Sequence, residues 1–175
     1  MKEVYIFDID GCVMPPIFTN FNIGERRANL VKEIIKNGNN VKLFPSFIEF
    51  YKKHCTQAEY VYFITGRKLS EFGKLTADQL KALNDIKKFQ VVYYPERKGH
   101  RIKKYFAWKV KKIKNIIKDY IKMELSHQNF KGNIKFKIFD DMNYYFQKIR
   151  RMEGKWRIQI HITLIDSEND WNHII

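Results

Sequence analysis

The sequence predicts an α/β fold: a three-layer sandwich in which helices cover both faces of a central, mostly parallel, Rossmann-like sheet. Three short apolar runs, at 4–7, 60–64 and 134–139, have the length and bounding turns of buried parallel strands. Segments with apolar residues at helical spacing separate these runs. The 175 residues suffice for one domain with a substantial core, so we expect 1–175 to form a single domain.

The composition is that of a globular protein without a membrane partner. Hydrophobic residues make up 45% of the chain and aromatic residues 15%, which excludes a disordered chain. No apolar stretch is long enough to span a bilayer, and the N-terminus reaches Asp8 after only four apolar residues, which is unlike a signal peptide. Cys12 and Cys55 have no zinc spacing. We therefore expect a cytoplasmic protein.

The chain is strongly basic. It contains 33 Lys and Arg against 19 Asp and Glu, a formal net charge of +14. This balance favours polyanionic partners, such as nucleic acid, or phosphorylated substrates. A coding bias toward Lys, Asn and Ile would give the same balance without any partner, so charge alone leaves both readings open.

The first strand ends in two carboxylates. Val4–Phe7 runs directly into Asp8 and Asp10, and Gly11 follows. Ligands of open α/β sheets bind beyond the carboxyl ends of the strands, where these side chains fall. Two such carboxylates can hold a hard divalent cation, or one can act as a nucleophile while the other moves a proton. Asp and Gly are also common in ordinary turns that follow strands, without any site.

Residues 14–45 separate this strand from the next regular structure. Pro15 and Pro16 break the backbone pattern, a helix is predicted over 25–36, and an Asn-Gly-Asn-Asn cluster ends it. A second helix is predicted over 46–54, with Ser46 as its N-cap. The segment 14–45 is long enough for a small flap or cap but not for a separate domain.

A hydroxyl follows the second strand, 60–64. Thr65, Gly66 and Arg67 come next in the sequence. A threonine hydroxyl beside a glycine turn, with backbone N–H groups close by, can hold a phosphate oxygen, although Thr-Gly is also a common turn. A helix over 76–88 and a strand over 90–94 are predicted to follow.

The segment 97–122 carries eleven Lys or Arg and a single acid, Asp119. Its apolar residues recur at helical spacing, which predicts an amphipathic helix whose lysines mostly cover the solvent face. Tyr105 and Trp108 near its start belong either to the core or to a surface on which a base stacks.

The last part of the chain predicts a strand over 134–139 that runs into Asp140 and Asp141, a helix over 142–151 and a strand over 157–164. No histidine has metal-ligand spacing. His161 is expected at a sheet edge or partly buried. The other four are expected on the surface or in loops: His54, His100, His127 and His173.

Together, the three strand ends resemble the motifs of the haloacid dehalogenase (HAD) superfamily of phosphohydrolases. The superfamily's Asp-x-Asp-Gly motif corresponds to 8–11, its second-strand threonine to Thr65 in Thr-Gly-Arg, and its late acidic pair to Asp140 and Asp141. The resemblance covers about residues 1–165. It implies a HAD-like domain with a small or absent cap.

The resemblance also implies a chemistry. Asp8 would attack phosphorus and form an aspartyl-phosphate, and Asp10 would protonate the leaving oxygen and then activate water. Thr65, Gly66 and Arg67 would bind the phosphoryl group. Mg²⁺ would be held by Asp8, the backbone carbonyl of Asp10, and Asp140 or Asp141.

The active-site lysine of the superfamily has four candidates: Lys98, Lys103, Lys104 and Lys109. The segment 108–113 is similar to the Phe-Lys-x-x-x-Leu pattern of lipin-like and RNA-repair-associated members, which favours Lys109. The segment 102–109 is similar to polynucleotide 3′-phosphatase domains, which would favour Lys103. We expect Lys109 to be catalytic and Lys103 to contact substrate.

The expected function is a Mg²⁺-dependent phosphomonoester hydrolase acting on nucleic-acid ends or nucleotides. Two alternatives stay open at this point. One is a nucleic-acid-binding module that keeps the fold without catalysis, and the other is a phosphatase of small metabolites or phosphoproteins.

Overall fold

Five parallel strands form the central sheet, in the order β3-β2-β1-β4-β5. The computed structural model describes residues 2–17, 27–95, 102–126, 134–143, 145–153 and 158–174; of 27–30, 102 and 103 only the backbone is described. The predicted fold class is confirmed. The strands are β1 (Lys2–Asp8), β2 (Tyr60–Lys68), β3 (Gln90–Tyr94), β4 (Ile134–Asp140) and β5 (Gln159–Leu164).

Helices connect and cover these strands. In chain order they are α1 (Arg27–Gly38), α2 (Pro45–Phe50), α3 (Leu69–Asn84), α4 (Ile102–Ser126), α5 (Phe146–Arg150) and α6 (Glu168–Ile174). A π-helical turn, Tyr51–Cys55, continues α2. No helix within the described ranges has the length and apolarity required to cross a membrane.

Alternation along β1 divides the core into two halves. Tyr5 and Phe7 point to the side covered by α2, α3 and α6, whereas Val4 and Ile6 point to the side covered by α4 and α5. Both sides are buried because β1 is the middle strand of a parallel sheet. The three layers expected from the sequence follow from this arrangement.

Phe7 anchors β1 within an aromatic cluster. Its ring centroid lies 5.1 Å from that of Phe139, 5.2 Å from Phe47, 5.4 Å from Phe63 and 6.0 Å from Trp171. Offset and edge-on ring pairs at these distances add to the stability that burial provides. The residue that follows Phe7 is therefore held at a fixed place at the end of the sheet.

Two boundaries differ from the sequence prediction. Ser46 is not the N-cap of α2: Phe44 occupies that position with Pro45 in the first turn, and the Ser46 hydroxyl donates to the carbonyl of Glu168 instead. β2 does not end before Thr65 but continues to Lys68, with a break in its register against β3 after Ile64. As a result α3 begins at residue 69 rather than 76.

The last helix, α6, was not predicted, because Trp171 and the partly buried Ile174 are its only residues that pack on the core. α5 is also shorter than the predicted 142–151. Trp108 is buried, as in the core alternative. The predicted flap includes 18–26, which lie outside the described residues, so it stays a prediction.

The histidines mostly follow expectation. His161 lies exposed on the edge strand β5, and His173 is exposed in α6. His54 corrects the surface prediction: its ring packs on Phe50 at 4.7 Å and its Nε2 is buried. His100 and His127 fall outside the described residues.

Trp171 offers a test of how the C-terminal helix supports the fold. It is fully buried, and its indole N–H donates to the carbonyl of Cys12 at 2.8 Å. We expect Trp171→Ala to lower the free energy of unfolding by about 3–5 kcal/mol, because a large cavity forms. Trp171→Phe should lower it by about 1–3 kcal/mol, because the buried carbonyl loses its donor.

Urea denaturation measures both changes, and Leu125→Ala at an exposed position serves as the control. Equal stability of Trp171→Phe and the wild-type protein would show that the hydrogen bond to Cys12 contributes nothing.

Candidate active site

The ends of β2, β1 and β4 bring the predicted site residues to one edge of the sheet. Asp8 pairs with Ile64 of β2, so Thr65 follows beside it. On the other side Phe7 pairs with Phe139 of β4, which places Asp140 next to Asp8. Because all three strands are parallel, their carboxyl ends meet at this edge.

Lys109 of α4 lies between two of the aspartates. Its Nζ is 2.9 Å from Asp8 Oδ1 and 2.5 Å from Asp140 Oδ2, and all three side chains are buried. The rings of Tyr105 and Tyr145 flank the ammonium, with centroids 5.6 Å and 5.7 Å from Nζ. The helix spacing that buries the apolar face of α4 also carries this lysine inward.

The structure separates the four candidate lysines. Lys109 is in the site, and Lys104 is exposed on the outer face of α4. Lys98 and the side chain of Lys103 lie outside the described part of the chain, so the predicted substrate contact of Lys103 stays a prediction.

Asp140 is held by three donors. Its Oδ1 accepts from the backbone N–H of Met142 at 3.0 Å, and its Oδ2 accepts from the Tyr145 hydroxyl and from Lys109. Sequence reasoning missed Tyr145, because a tyrosine in a Tyr-Tyr-Phe run looks like an ordinary core residue. Its position five residues after Asp140 was the only available signal.

Asp141 completes the acidic group. Its Oδ1 is buried and has no hydrogen-bond partner among the described residues. Gly11, with φ +84°, approaches closely: a Cβ built on it would lie 2.6 Å from Asp141 Oδ2. Any residue other than glycine would be strained here and would displace the carboxylate. The glycine of the first motif is therefore required by the site.

The three carboxylates fit a divalent cation. One ligand oxygen from each of Asp8, Asp140 and Asp141 lies within 4.8 Å of the other two. With Lys109 included, the ionised group carries two more negative charges than positive ones. Oxygen ligands and an excess of two charges suit Mg²⁺, and the unpartnered Oδ1 of Asp141 is available as a ligand. The predicted contribution of the Asp10 backbone carbonyl stays a prediction.

Burial and the excess of negative charge shift the pKa values of Asp8, Asp141 and Lys109. Burial raises the pKa of Asp8 well above its usual value, and Asp140 and Asp141 raise it further, against the attraction of Lys109. Burial and the charge of Asp140 raise the pKa of Asp141 to about 6. Burial lowers the pKa of Lys109, but attraction to Asp140 and Asp8 outweighs it and the net shift is upward. The lysine stays charged while the carboxylates repel one another.

Thr65 and Gly66 line the same edge. Thr65 is buried, and its Oγ1 accepts from the backbone N–H of Arg67 at 3.1 Å. The ring of Tyr105 packs on Gly66 so closely that a Cβ there would lie 3.3 Å from the ring. The threonine, the glycine and the ring that flanks Lys109 therefore form one continuous wall.

Arg67 and Asp10 lie apart from this group. The Arg67 side chain is fully buried, with Nε 3.0 Å from Asp10 Oδ2 and Nη2 2.7 Å from Asp10 Oδ1. Protein groups occupy the N–H donors of this buried guanidinium, which corrects the prediction that Arg67 binds substrate. The carboxylate of Asp10 is paired with Arg67 and is not one of the grouped ligand carboxylates, which are those of Asp8, Asp140 and Asp141.

No protein-family model matches the chain, and no curated protein matches it. The resemblance to the HAD superfamily therefore stays a prediction that rests on the motifs. The geometry of the site stands independently of it.

The raised pKa of Asp141 leads to a stability prediction. Its pKa is about 6 in the folded protein and near 3.8 in the unfolded chain, so the folded state loses stability as pH rises from 4 through 6. Without metal at pH 7.5, Asp141→Asn should raise the free energy of unfolding by about 1 kcal/mol after solvent screening, or Tm by roughly 2–4 °C. At pH 4 the difference should vanish.

Thermal melts at both pH values, with and without MgCl₂, provide the measurement. Mg²⁺ should raise Tm of the wild-type protein and much less that of Asp141→Asn. Asp85→Asn, at an exposed site, is the matched control. A metal-free Asp141→Asn protein no more stable than wild type at pH 7.5 would contradict the repulsion argument.

Proposed function

We propose that this protein is a Mg²⁺-dependent phosphomonoester hydrolase that works through an aspartyl-phosphate on Asp8. The observation that carries the proposal is the grouping of Asp8, Asp140 and the partly buried Asp141 at the ends of parallel strands, with Lys109 of α4 between the first two. Phosphoryl transfer requires mainly positioning and the stabilisation of charge. A nucleophilic carboxylate, a fixed ammonium and a set of metal ligands supply both.

The reaction has two displacements at phosphorus. In the first, an oxygen of Asp8 bonds to phosphorus, the bond from phosphorus to the ester oxygen breaks, and Asp10 gives that oxygen a proton. In the second, a water oxygen bonds to phosphorus, its proton goes to Asp10, and the bond from Asp8 to phosphorus breaks. The sum is ester plus water to alcohol plus inorganic phosphate.

The other residues bind and orient the phosphoryl group. Lys109 lies 2.9 Å from Asp8 and offsets the charge of nucleophile and phosphate. The Thr65 hydroxyl and the backbone N–H of Gly66 donate to phosphoryl oxygens. Mg²⁺ bound by Asp8, Asp140 and Asp141 would supply further positive charge to the phosphate.

Both cysteines are buried and unpaired, which accords with the cytoplasmic location expected from the sequence.

Asp8→Asn tests the nucleophile. The amide keeps the size of the side chain but cannot form the acyl-phosphate, so kcat on an aryl phosphate with Mg²⁺ should fall at least about a thousandfold. Asp85→Asn should keep wild-type activity, and circular dichroism should show that both variants are folded. An active Asp8→Asn protein would rule out the aspartyl-phosphate route.

A basic stripe on α4 supports a polyanionic substrate, such as a nucleic-acid end or a nucleotide. Lys104, Lys111, Lys118 and Lys122 are exposed, and their spacing places them along one face of the helix. At 1.5 Å per residue the stripe runs for about 27 Å. It begins little more than one turn from Lys109. Of the two acids in α4, Glu124 is buried and paired with Lys2, and only Asp119 is exposed.

Neutralising the stripe tests the class of substrate. The four lysines changed to Gln should lower kcat/KM for a 3′- or 5′-phosphorylated oligonucleotide on the order of tenfold at low salt, with a shallower salt dependence. Activity on an aryl phosphate should not change. The control changes four exposed lysines on α1 and α3 instead: Lys32, Lys36, Lys74 and Lys81.

An equal loss of kcat/KM on the oligonucleotide in both quadruple variants would show that the effect comes from net charge and not from the position of the stripe. No effect on either substrate would favour a small metabolite or a phosphoprotein. Salt-dependent binding of oligonucleotides without phosphate release would favour a non-catalytic binding module.

A further inference from the structure

The side chain of Arg67 is completely buried, although its charge is costly to remove from water. The Thr-Gly-Arg segment would place it among substrate contacts, but it lies in a closed network of protein groups. Its fork pairs with both oxygens of Asp10, at 3.0 and 2.7 Å. A bidentate pair of this kind fixes the plane of a carboxylate as well as its distance.

The guanidinium is itself held from the far side. Nη1 donates to Thr76 Oγ1 at 3.0 Å and to Gln79 Oε1 at 2.5 Å, both on α3. Nη2 also contacts the sulfur of Met14 at 3.5 Å. Each N–H group of the guanidinium therefore has a partner, which fixes the orientation of Arg67.

Gln79 extends the network to the connection between α1 and α2. Its Nε2 donates to the carbonyls of Gly38 and Val41, at 2.9 and 3.2 Å. The two carbonyls fix the amide so that its oxygen faces Arg67. A chain of contacts thus leads from the end of α1 through α3 and β2 to Asp10.

We propose that Arg67 is a positioning residue that acts on the reaction through Asp10. It holds the Asp10 carboxylate in one plane with both oxygens as acceptors, and Thr76 and Gln79 hold Arg67. The inference rests on the proposed function, in which Asp10 moves a proton in each displacement. A protein built only for packing would not need a charged fork at this place, since an apolar pair of similar volume is often as stable.

The arrangement matters most in the second displacement. A carboxylate has about four lone-pair positions. Arg67 occupies two on Asp10, and the backbone N–H of Ile17 donates to a third, on Oδ1 at 3.4 Å, so one remains open to the proton of the attacking water. The new bond joins the water oxygen to phosphorus, the bond from Asp8 to phosphorus breaks, and the proton moves to Asp10. In the first displacement an activated aryl leaving group departs without needing a proton, so that step depends less on Asp10.

The kinetics of Arg67→Lys distinguish an effect on the second displacement from an effect on the first. Lysine keeps the charge but cannot contact both carboxylate oxygens at once. On an activated aryl phosphate with Mg²⁺, kcat should fall about tenfold or more, since general acid–base catalysis contributes roughly 10²–10⁴-fold. KM should fall in parallel, kcat/KM should stay near the wild-type value, and acid quenching should trap more aspartyl-phosphate. If circular dichroism shows that Arg67→Lys is folded, a lower kcat with an unchanged KM would overturn the proposal.

A double-mutant cycle with Asp10→Asn tests the route of the effect. If Arg67 acts through Asp10, Arg67→Lys should change kcat less than about twofold in the Asp10→Asn background. Full additivity of the two changes would overturn the proposal. Lys137→Met, which breaks the ion pair with Glu3 elsewhere on the sheet, is the control and should leave KM and the trapped intermediate unchanged.

Gln79→Met provides a second variant in case Arg67→Lys does not fold. It removes one support of the guanidinium at a partly exposed position and should give the same pattern with a smaller amplitude. A wild-type kcat and KM in Gln79→Met and in any folded Arg67→Lys protein would overturn the inference alone. No turnover by the wild-type protein would overturn the proposed function, and the inference with it.

Discussion

The site depends on one buried ammonium shared by two carboxylates. Lys109 is 1% exposed and Asp140 is 1% exposed, so neither charge is compensated by water. Burial of either charge without the other would be strongly unfavourable. The attraction between the two charges offsets the loss of hydration, and the N–H of Met142 and the Tyr145 hydroxyl add hydrogen bonds to Asp140. The charge of Lys109 thereby holds α4 against the end of β4.

The aromatic core makes this arrangement rigid. Phe7 and Phe139 stack on neighbouring strands at 5.1 Å, immediately before Asp8 and Asp140. Any slip in register between β1 and β4 would separate the two carboxylates and expose alternate side chains on both faces of the sheet. Packing of apolar rings therefore fixes the distance between groups whose charges repel.

The sequence was sufficient to predict the elements that depend on a local pattern of residues. Apolar runs ending in oxygen-bearing residues predicted β1, β4 and the meeting of Asp8 with Asp140, and helical spacing predicted most of α4. It was not sufficient where a residue's partner is distant in sequence. The burial of Arg67 depends on Asp10, 57 positions away, and α6 is held largely by Trp171 in an otherwise polar helix. Neither contact leaves a periodic signal.

The two aspartates of the first motif are close in sequence but have separate surroundings. Asp8 lies among Lys109, Asp140 and Asp141, where burial and like charges raise its pKa and a cation would be held. Asp10, two residues later, turns away at Gly11 and meets a guanidinium fork that no other carboxylate in the described network shares. Because separate cations serve the two side chains, the charge on one can change without reorganising the partners of the other. The proposed function, with Asp8 as nucleophile and Asp10 as proton carrier, requires that independence.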